Sequence, residues 1–387
     1  MKKTLLSTLI SGLALSTATG IQAQTLDQFV KDTSVDLNFR YRVESNDVDN
    51  DNDTALANTL KSRLTLQTGE LAGFSLLVEG DNVLHVTDDF NDKENGNTEY
   101  NVVLDQETTQ LNQVYLQYKG FDTVVKAGNQ RVNLDNQRHV GGVAFRQDEA
   151  TYDAISVQNQ SIDKTTIVLA VANNRNTITN DNTEEDIVIA NVKYQVNPDL
   201  ATSGFLYQVE DDGAKGQTYG LRAVGKAAGV SYEAELAQQT NDVTDHAPLY
   251  LHLSAATDLG GVKTKLGYEQ LGSDEDDGSR LAFDTPLGTN HKFLGWTDVY
   301  LNAAAFGVNG IQDIYLNAVT NVAGVKLVGQ LHKFDAVEGS NDLGTEIGFL
   351  AAKKFNNYGL SLKLAQLSGS DTKDDTTKVW LTGTAKF

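Results

Sequence analysis

The chain has 387 residues, with 31 Lys and Arg against 52 Asp and Glu and a net charge of −21, a balance that argues against nucleic acid as a partner. It contains no cysteine, which excludes disulfide staples, thiolate metal sites and cysteine nucleophiles together. Three prolines beside 33 glycines and abundant Val, Leu, Thr and Tyr suit long, uninterrupted strands.

The first segment in chain order, 1–23, reads as a secretory signal: Lys2 and Lys3, an apolar run over 5–15, and a small-residue exit at Ile21-Gln22-Ala23. No later window offers the roughly 18 consecutive apolar residues of a membrane helix, so any membrane span is a strand. The expected organisation is a signal peptide over 1–23 and one domain over 24–387, the latter with 29 basic and 52 acidic residues.

Period-two alternation begins at 34–43, where Val35, Leu37, Phe39, Tyr41 and Val43 alternate with Asp36, Asn38, Arg40 and Arg42. An acidic loop (44–58), a strand (60–68), a tight turn (69–73), a strand from Phe74 and a long loop (84–108) follow. Strands at 111–119 and 123–130 then lead into a third long loop at 131–151. Short connections recur at 161–164, 197–200, 227–229, 258–260, 321–324 and 355–358. Longer polar ones lie at 173–185, 211–216, 240–247, 272–309, 335–342 and 368–376.

This alternation predicts nine long loops, eight short turns and eighteen strands of about 8 to 11 residues, with both ends on the periplasmic side. The fold class expected is all-β: a transmembrane antiparallel barrel with apolar residues toward lipid and polar residues toward the lumen. Phe74, Tyr118, Tyr194, Phe205 and Tyr232 near the turns, and Tyr41, Tyr207 and Tyr268 near the loops, are expected as outward interfacial aromatics. The last strand, 378–387, ends on Phe387, which resembles the terminal signature by which the barrel-assembly machinery recognises outer-membrane barrels.

Extending the alternation places fifteen basic residues inward: Arg40, Arg42, Lys61, Arg63, Lys119, Lys126, Lys193, Arg222, Lys226, Lys263, Lys265, Lys326, Lys363, Lys378 and Lys386. Nine acidic residues face them: Asp36, Glu79, Asp81, Glu210, Glu233, Glu235, Glu269, Asp313 and Glu346. Arg40, Arg42, Lys61 and Arg63 form a basic patch on neighbouring strands, which either attracts anions or pairs with lumen carboxylates. The third loop carries Arg131, Arg138, Arg146 and Gly141-Gly142, a composition for folding back into the lumen rather than forming an ordinary outer loop. The expected pore-lining or constriction set is therefore Arg40, Arg42, Lys61, Arg63, Lys126, Arg131, Arg138 and Arg146.

The longest loop holds Pro286, His291, Lys292 and Trp296 and either caps the pore or packs against its rim, with His291 taken as structural. The acidic runs 47–53 and 274–277 offer oxygen ligands to divalent cations, but counting from Asp49 the sixth and twelfth positions are Thr54 and Leu60, so no calcium loop is complete. They otherwise read as solvated charge facing lipopolysaccharide. Of six histidines, His252 and His332 face the lumen, neither beside a nucleophile, and Gly-x-Ser-x-Gly is absent; no catalytic site, metal site or cofactor is expected.

Three stretches, LKSRLTLQTGELAGFSLLVE (60–79), LDNQRHVGGVAFRQDEATYDA (134–154) and DTPLGTNHKFLGWTDVYL (284–301), resemble the alginate-export-like outer-membrane porins of marine Gram-negative bacteria. Departures are Asn129, where that family carries an arginine, and Phe145, where Trp is usual. The resemblance implies a barrel, an outer-membrane address and transport. Together the readings point to a porin for passive diffusion or export of small hydrophilic, anionic solutes, acidic saccharides among them. The alternative is a non-transporting barrel acting as an adhesin or structural protein through its acidic loops. Expected partners are outer-membrane lipid and lipopolysaccharide, the assembly machinery, small solutes and divalent cations at the loops.

Overall fold

The protein is described from a computed structural model over residues 26–370 and 372–387; the expected signal segment 1–23 lies outside the described residues. A short helix, α1 (Leu26–Lys31), precedes the barrel strands β1 (Ser34–Val48), β2 (Ala55–Gln67), β3 (Phe74–Thr87), β4 (Thr108–Gly120), β5 (Thr123–Gln130) and β6 (Thr151–Asn159). Next come β7 (Thr165–Asn176), β8 (Asp186–Asn197), β9 (Leu200–Asp211), β10 (Ala214–Ala227), β11 (Val230–Asn241) and β12 (Leu249–Leu259). The last six are β13 (Val262–Leu271), β14 (Ile311–Val322), β15 (Val325–Ala336), β16 (Asp342–Phe355), β17 (Tyr358–Ser368) and β18 (Thr376–Lys386).

Each strand pairs antiparallel with its sequence neighbours, and β1 closes on β18 from Asn38↔Lys386 to Val48↔Thr376, giving the expected closed barrel of 18 strands. Closure leaves no edge, so the backbone N–H and C=O groups of the wall are satisfied within the sheet, the condition for crossing a bilayer. The outer face is apolar: Leu64, Leu116, Leu253, Leu316, Ile347 and Leu362 all stand exposed on it. An apolar band around a closed barrel is stable only against lipid, and it places the protein in the outer membrane. Phe74 and Tyr118, with ring centroids 4.9 Å apart, and exposed Tyr41, Tyr194 and Tyr232 supply the interfacial aromatics.

Several elements differ from the sequence expectation. Strands β1 and β2 pair as far out as Asn46↔Ala55, so most of the expected 44–58 loop is ladder. The polar residues that made it read as loop are held there by the loop 88–107, as in the bond from Asn46 Nδ2 to the Val102 carbonyl (2.9 Å). The expected 211–216 loop is a two-residue turn, with Asp212 and Gly213 at φ 46° and 85°. Two successive positive φ values make the hairpin turn whose twist matches the strands, and Gly takes the second position without steric cost.

Phe205 and Tyr207 face inward rather than toward lipid, 7% and 5% exposed, while Leu206 takes the outward position. Glu210 consequently turns out of the lumen, to the outer rim beside Glu184 and Asp212. The physical reason lies in what fills the barrel. Loops 88–107, 131–150 and 272–310 fold back inside it, so the lumen has an apolar core of its own, with Val132, Val140, Phe205, Tyr207, Tyr250, Phe283, Leu287, Leu294 and Tyr300 in contact. An inward aromatic there is buried against protein rather than exposed to a water-filled channel.

Candidate functional site: the loop-filled lumen

Most of the residues expected at a constriction lie on β1–β3 and on the loop 131–150 folded against them. Arg63 donates from Nε and Nη2 to both oxygens of Asp81 (2.6 Å each) and also bonds Glu149. Arg131 donates to Glu149 Oε2 (2.7 Å) and bonds Glu79, while Lys61 pairs with Asp81 at 2.8 Å. Asn112 completes the cluster by donating to Glu79 (2.9 Å) and Glu149 (2.6 Å). Three cations thus meet three carboxylates. Burial alone raises the Glu149 carboxyl, but the Arg131 hydrogen bond and the Arg63 and Lys61 charges outweigh it and hold the group at about 2. Neighbouring Asp148 accepts from the Glu149 N–H and from Gln110 (2.7 Å) and feels the Lys61 charge, but burial outweighs these and pushes it up to about 6.

The other predicted residues have different roles. Arg40 straps the loop backbone, donating to the Ala144 carbonyl (2.9 Å) and Gln147 Oε1 (2.8 Å) and bonding the Arg146 carbonyl. Arg42 lies over the Phe145 ring (4.5 Å) and 3.8 Å from Asp105 of the 88–107 loop. Lys126 sits over the Tyr115 ring at 4.6 Å. Arg138 is fully buried, 2.8 Å from Glu269, with Nη1 donating to Asn290 (3.1 Å) and its guanidinium over Phe293 (4.8 Å), out of reach of solute. Arg146 bridges Glu44 (2.9 Å) and Asp298 (3.3 Å). Within the basic patch Lys61 and Arg63 pair with lumen carboxylates and Arg42 lies near a loop carboxylate, whereas Arg40 is spent on the loop backbone.

The long loop 272–310 does enter the lumen. Glu346 of β16 accepts from Trp296 N, Thr297 N (3.0 Å) and Thr297 Oγ1 (2.6 Å), holding the loop by its backbone. Gly348, two residues on, makes the slot for the Trp296 indole: a Cβ there would stand 2.8 Å from it. His291 stacks on Phe145 (3.3 Å between centroids, 13° between planes). Its Nδ1 bonds Asp298 (2.5 Å) and its Nε2 meets the Lys363 ammonium (2.5 Å). Neutral His291 satisfies both, donating from Nδ1 and accepting at Nε2. Burial pushes its imidazole down to about 3; the Asp298 carboxylate pulls the other way, and the Lys363 ammonium adds to the push. Lys363 is also ringed by Phe145 (4.5 Å), Trp296 (4.3 Å) and Trp380 (4.9 Å).

Phe145 and His291 stand in the walls of two cavities. One, of about 250 Å³, opens among outer-loop residues such as Arg175 and Ile178; the other, of about 440 Å³, runs inward along Lys265, Asn317 and Val328. The stacked pair is the partition between them. A third cavity of about 900 Å³ lies at the periplasmic end of β1–β3 and β16–β18, its charged lining made of Arg40, Lys61, Arg63, Arg131, Lys354 and Lys386 with the carboxylates Asp36 and Glu79. Sequence reading named neither the loop carboxylates Asp105, Glu149 and Asp298 nor the Lys363–Trp296–Trp380 cage, since irregular loops carry no period that aims a side chain.

No protein-family model matches the chain, and no curated protein matches it by sequence. Solved structures do. OccK3 (OpdO) of Pseudomonas aeruginosa superposes with a TM-score of 0.71 at 14% identity, covering 94% of this chain and 97% of that one. OccK9 (OpdG) gives 0.68 at 17% over 93% and 100%, and OpdK, solved with vanillate, 0.69 at 12% over 93% and 99%, both also from P. aeruginosa. At such identities the likeness is one of fold, and the fold is that of the outer-membrane porins. In particular, this closed 18-strand barrel matches the barrels of the OccK and Opd proteins.

Proposed function

We propose that this protein is an outer-membrane channel for passive passage of small hydrophilic solutes, with anions favoured. The observation that carries the reading is the lumen itself. Three loops fold inside a closed barrel and leave cavities on either side of a narrow Phe145–His291 partition, an arrangement suited to sorting solutes by size, with Arg146, Arg175, Lys265 and Lys292 among the charged side chains in their walls. The vanillate bound to OpdK is a small anion and is consistent with this solute class. The sequence resemblance to alginate-export-like porins supports the same class and adds acidic saccharides as candidates. With most of the arginines paired, the preference rests on exposed inward lysines such as Lys326 and Lys354.

The test is single-channel conductance of the purified protein in a planar bilayer under a salt gradient. Steady conductance with a reversal potential on the anion side is expected; no conductance overturns the reading. The closed contact of Phe145 on His291 favours one competitor, a non-transporting barrel whose acidic loops bind cations or neighbouring surfaces, and silence in the bilayer would select it.

A further inference from the structure

On the inner side of the Phe145–His291 partition, the inward rows of β14 and β15 carry polar groups that the fold leaves over. Cross-strand register sets Tyr315 opposite His332 and Asn317 opposite Gln330. Strand parity turns all four, together with Asp313, toward the lumen. Asp313, His332 and Gln330 are buried, at 0%, 5% and 8% exposure. His332 Nδ1 meets Asp313 Oδ2 at 2.8 Å, which leaves His332 Nε2 and Asp313 Oδ1 buried with no hydrogen-bond partner among the described residues. Asn317 Oδ1 and Gln330 Nε2 are buried and unpartnered in the same way, although the two residues stand opposite one another in the ladder. Gln330 is placed by Gly348 of β16: a Cβ there would stand 2.6 Å from the Gln330 Cγ and 2.8 Å from the Trp296 ring, so the bare backbone seats both.

Burying polar groups without partners costs free energy, and a convergent set of them marks a place where something else bonds. Asp313, Asn317, Gln330 and His332 all stand in the wall of the cavity of about 440 Å³, a size within the range of about 300–1,000 Å³ that small-molecule sites occupy. Phe293 and Trp296 of loop 272–310 add apolar ring faces to the same wall. Its ammoniums, Lys265 and Lys292, balance its carboxylates, Glu269 and Asp313, so the wall favours neither sign of solute. These charges are also engaged within the protein: Glu269 by Arg138 at 2.8 Å, Asp313 by His332, Lys292 by the Asn136 carbonyl at 2.8 Å, and Lys265 over the Tyr315 ring at 5.5 Å. What remains is two amides, an imidazole nitrogen and one carboxylate oxygen. We propose that this cavity is a binding site for uncharged polyhydroxylated solutes of monosaccharide size; the inference rests on the channel reading above and adds a second solute class to it. A hydroxyl both donates and accepts, so the hydroxyls of one sugar ring can bond an amide NH₂, an amide carbonyl, a carboxylate oxygen and an imidazole nitrogen together. The terminal torsions of Asn317 and Gln330 are soft, so their amides turn onto a solute without moving the strands.

The experiment is calorimetric titration of the full chain in detergent with glucose, glucuronate and glycine as probes. Tryptophan emission is read in parallel, since Trp296 in the cavity wall is one of two tryptophans in the chain. Saturable glucose binding is expected, tighter than that of glucuronate or glycine, with a change in emission. The N317A/Q330A variant is expected to bind glucose about tenfold more weakly, two hydrogen bonds being lost, with its far-ultraviolet strand spectrum unchanged. Gln366→Ala, on the lipid-facing row of β17 opposite Ile347, serves as the control and is expected to bind as wild type. Glucose binding unchanged in the double variant overturns the inference, as does tighter binding of glucuronate or of glycine. Absence of binding with all three probes means that water alone meets these groups, and it overturns the site as well. Bilayer recordings test the channel reading separately: silence there, with glucose still bound by the solubilised barrel, ends the transport reading and keeps the site.

Discussion

Arg138 shows how a residue that reads as a solute contact becomes a tether. Its guanidinium, 0% exposed, joins loop 131–150 to β13 through Glu269 and to loop 272–310 through Asn290. Truncating one partner of a buried ion pair leaves the other uncompensated, which costs about 3–5 kcal/mol. Arg138→Ala is therefore expected to loosen both loops. Bilayer recordings should show larger, noisier conductance with the reversal potential unchanged. A quiet channel whose anion preference falls would return Arg138 to the pore lining.

Gly348 offers a second test at the same scale. It carries no left-handed strain; its role is space, since Trp296 packs where a side chain would stand. Gly348→Val is expected to expel the indole and weaken the three contacts on Glu346, increasing susceptibility of the 272–310 loop to protease from the outer side while the barrel stays folded. An unchanged digestion pattern would show that the slot does not hold the loop.

At the scale of elements, lumen loops 131–150 and 272–310 are expected to answer acid in opposite directions. His291 in the docked long loop sits near 3 against an ordinary 6.5, so the docked state binds fewer protons. Its contribution to docking is complete above about pH 6.5 and is eroded as pH falls toward 3. Asp298, held below its ordinary carboxylate value by His291 and Arg146 in spite of burial, adds a further loss at the acid end. Asp148 in loop 131–150 has the contrary sign: raised to about 6, it favours docking as pH falls through that value. Conductance is expected to rise between pH 7 and pH 4.5 as the long loop releases, and His291→Gln should flatten that change. Equal conductance at both values in wild type would exclude the loop as an acid-sensitive element.

Seen whole, the molecule separates its charge along the barrel axis. Carboxylates crowd the outer rim, as in the cavity lined by Glu184, Glu185, Asp186, Glu210 and Asp212, and lysines crowd the inner mouth. Among the described residues no cluster has the geometry of a metal site, so the divalent cations expected at the acidic loops are proposed as diffuse counter-ions. A barrel with opposite charges at its two mouths is expected to rectify: current in symmetric low salt should differ between the two voltage signs, and the difference should shrink at 1 M salt, where the screening length is about 3 Å. A linear, salt-independent current–voltage curve would show that the mouths do not govern conduction.

What the sequence determined by itself is what repeats. Alternation at period two, turn residues at short connections and the loop–turn rhythm specified a closed 18-strand barrel, its lipid-facing side and the inward direction of nearly every lysine of the inner mouth, because each strand residue's direction follows from its parity. Tertiary structure decided the rest. It turned Phe205 and Tyr207 inward, since loops folded into the lumen supply an apolar interior that parity alone does not announce. It also neutralised the constriction arginines with Glu149, Asp105 and Asp298, carboxylates that lie in irregular loops, where no periodicity aims a side chain and only the folded chain brings the partners together.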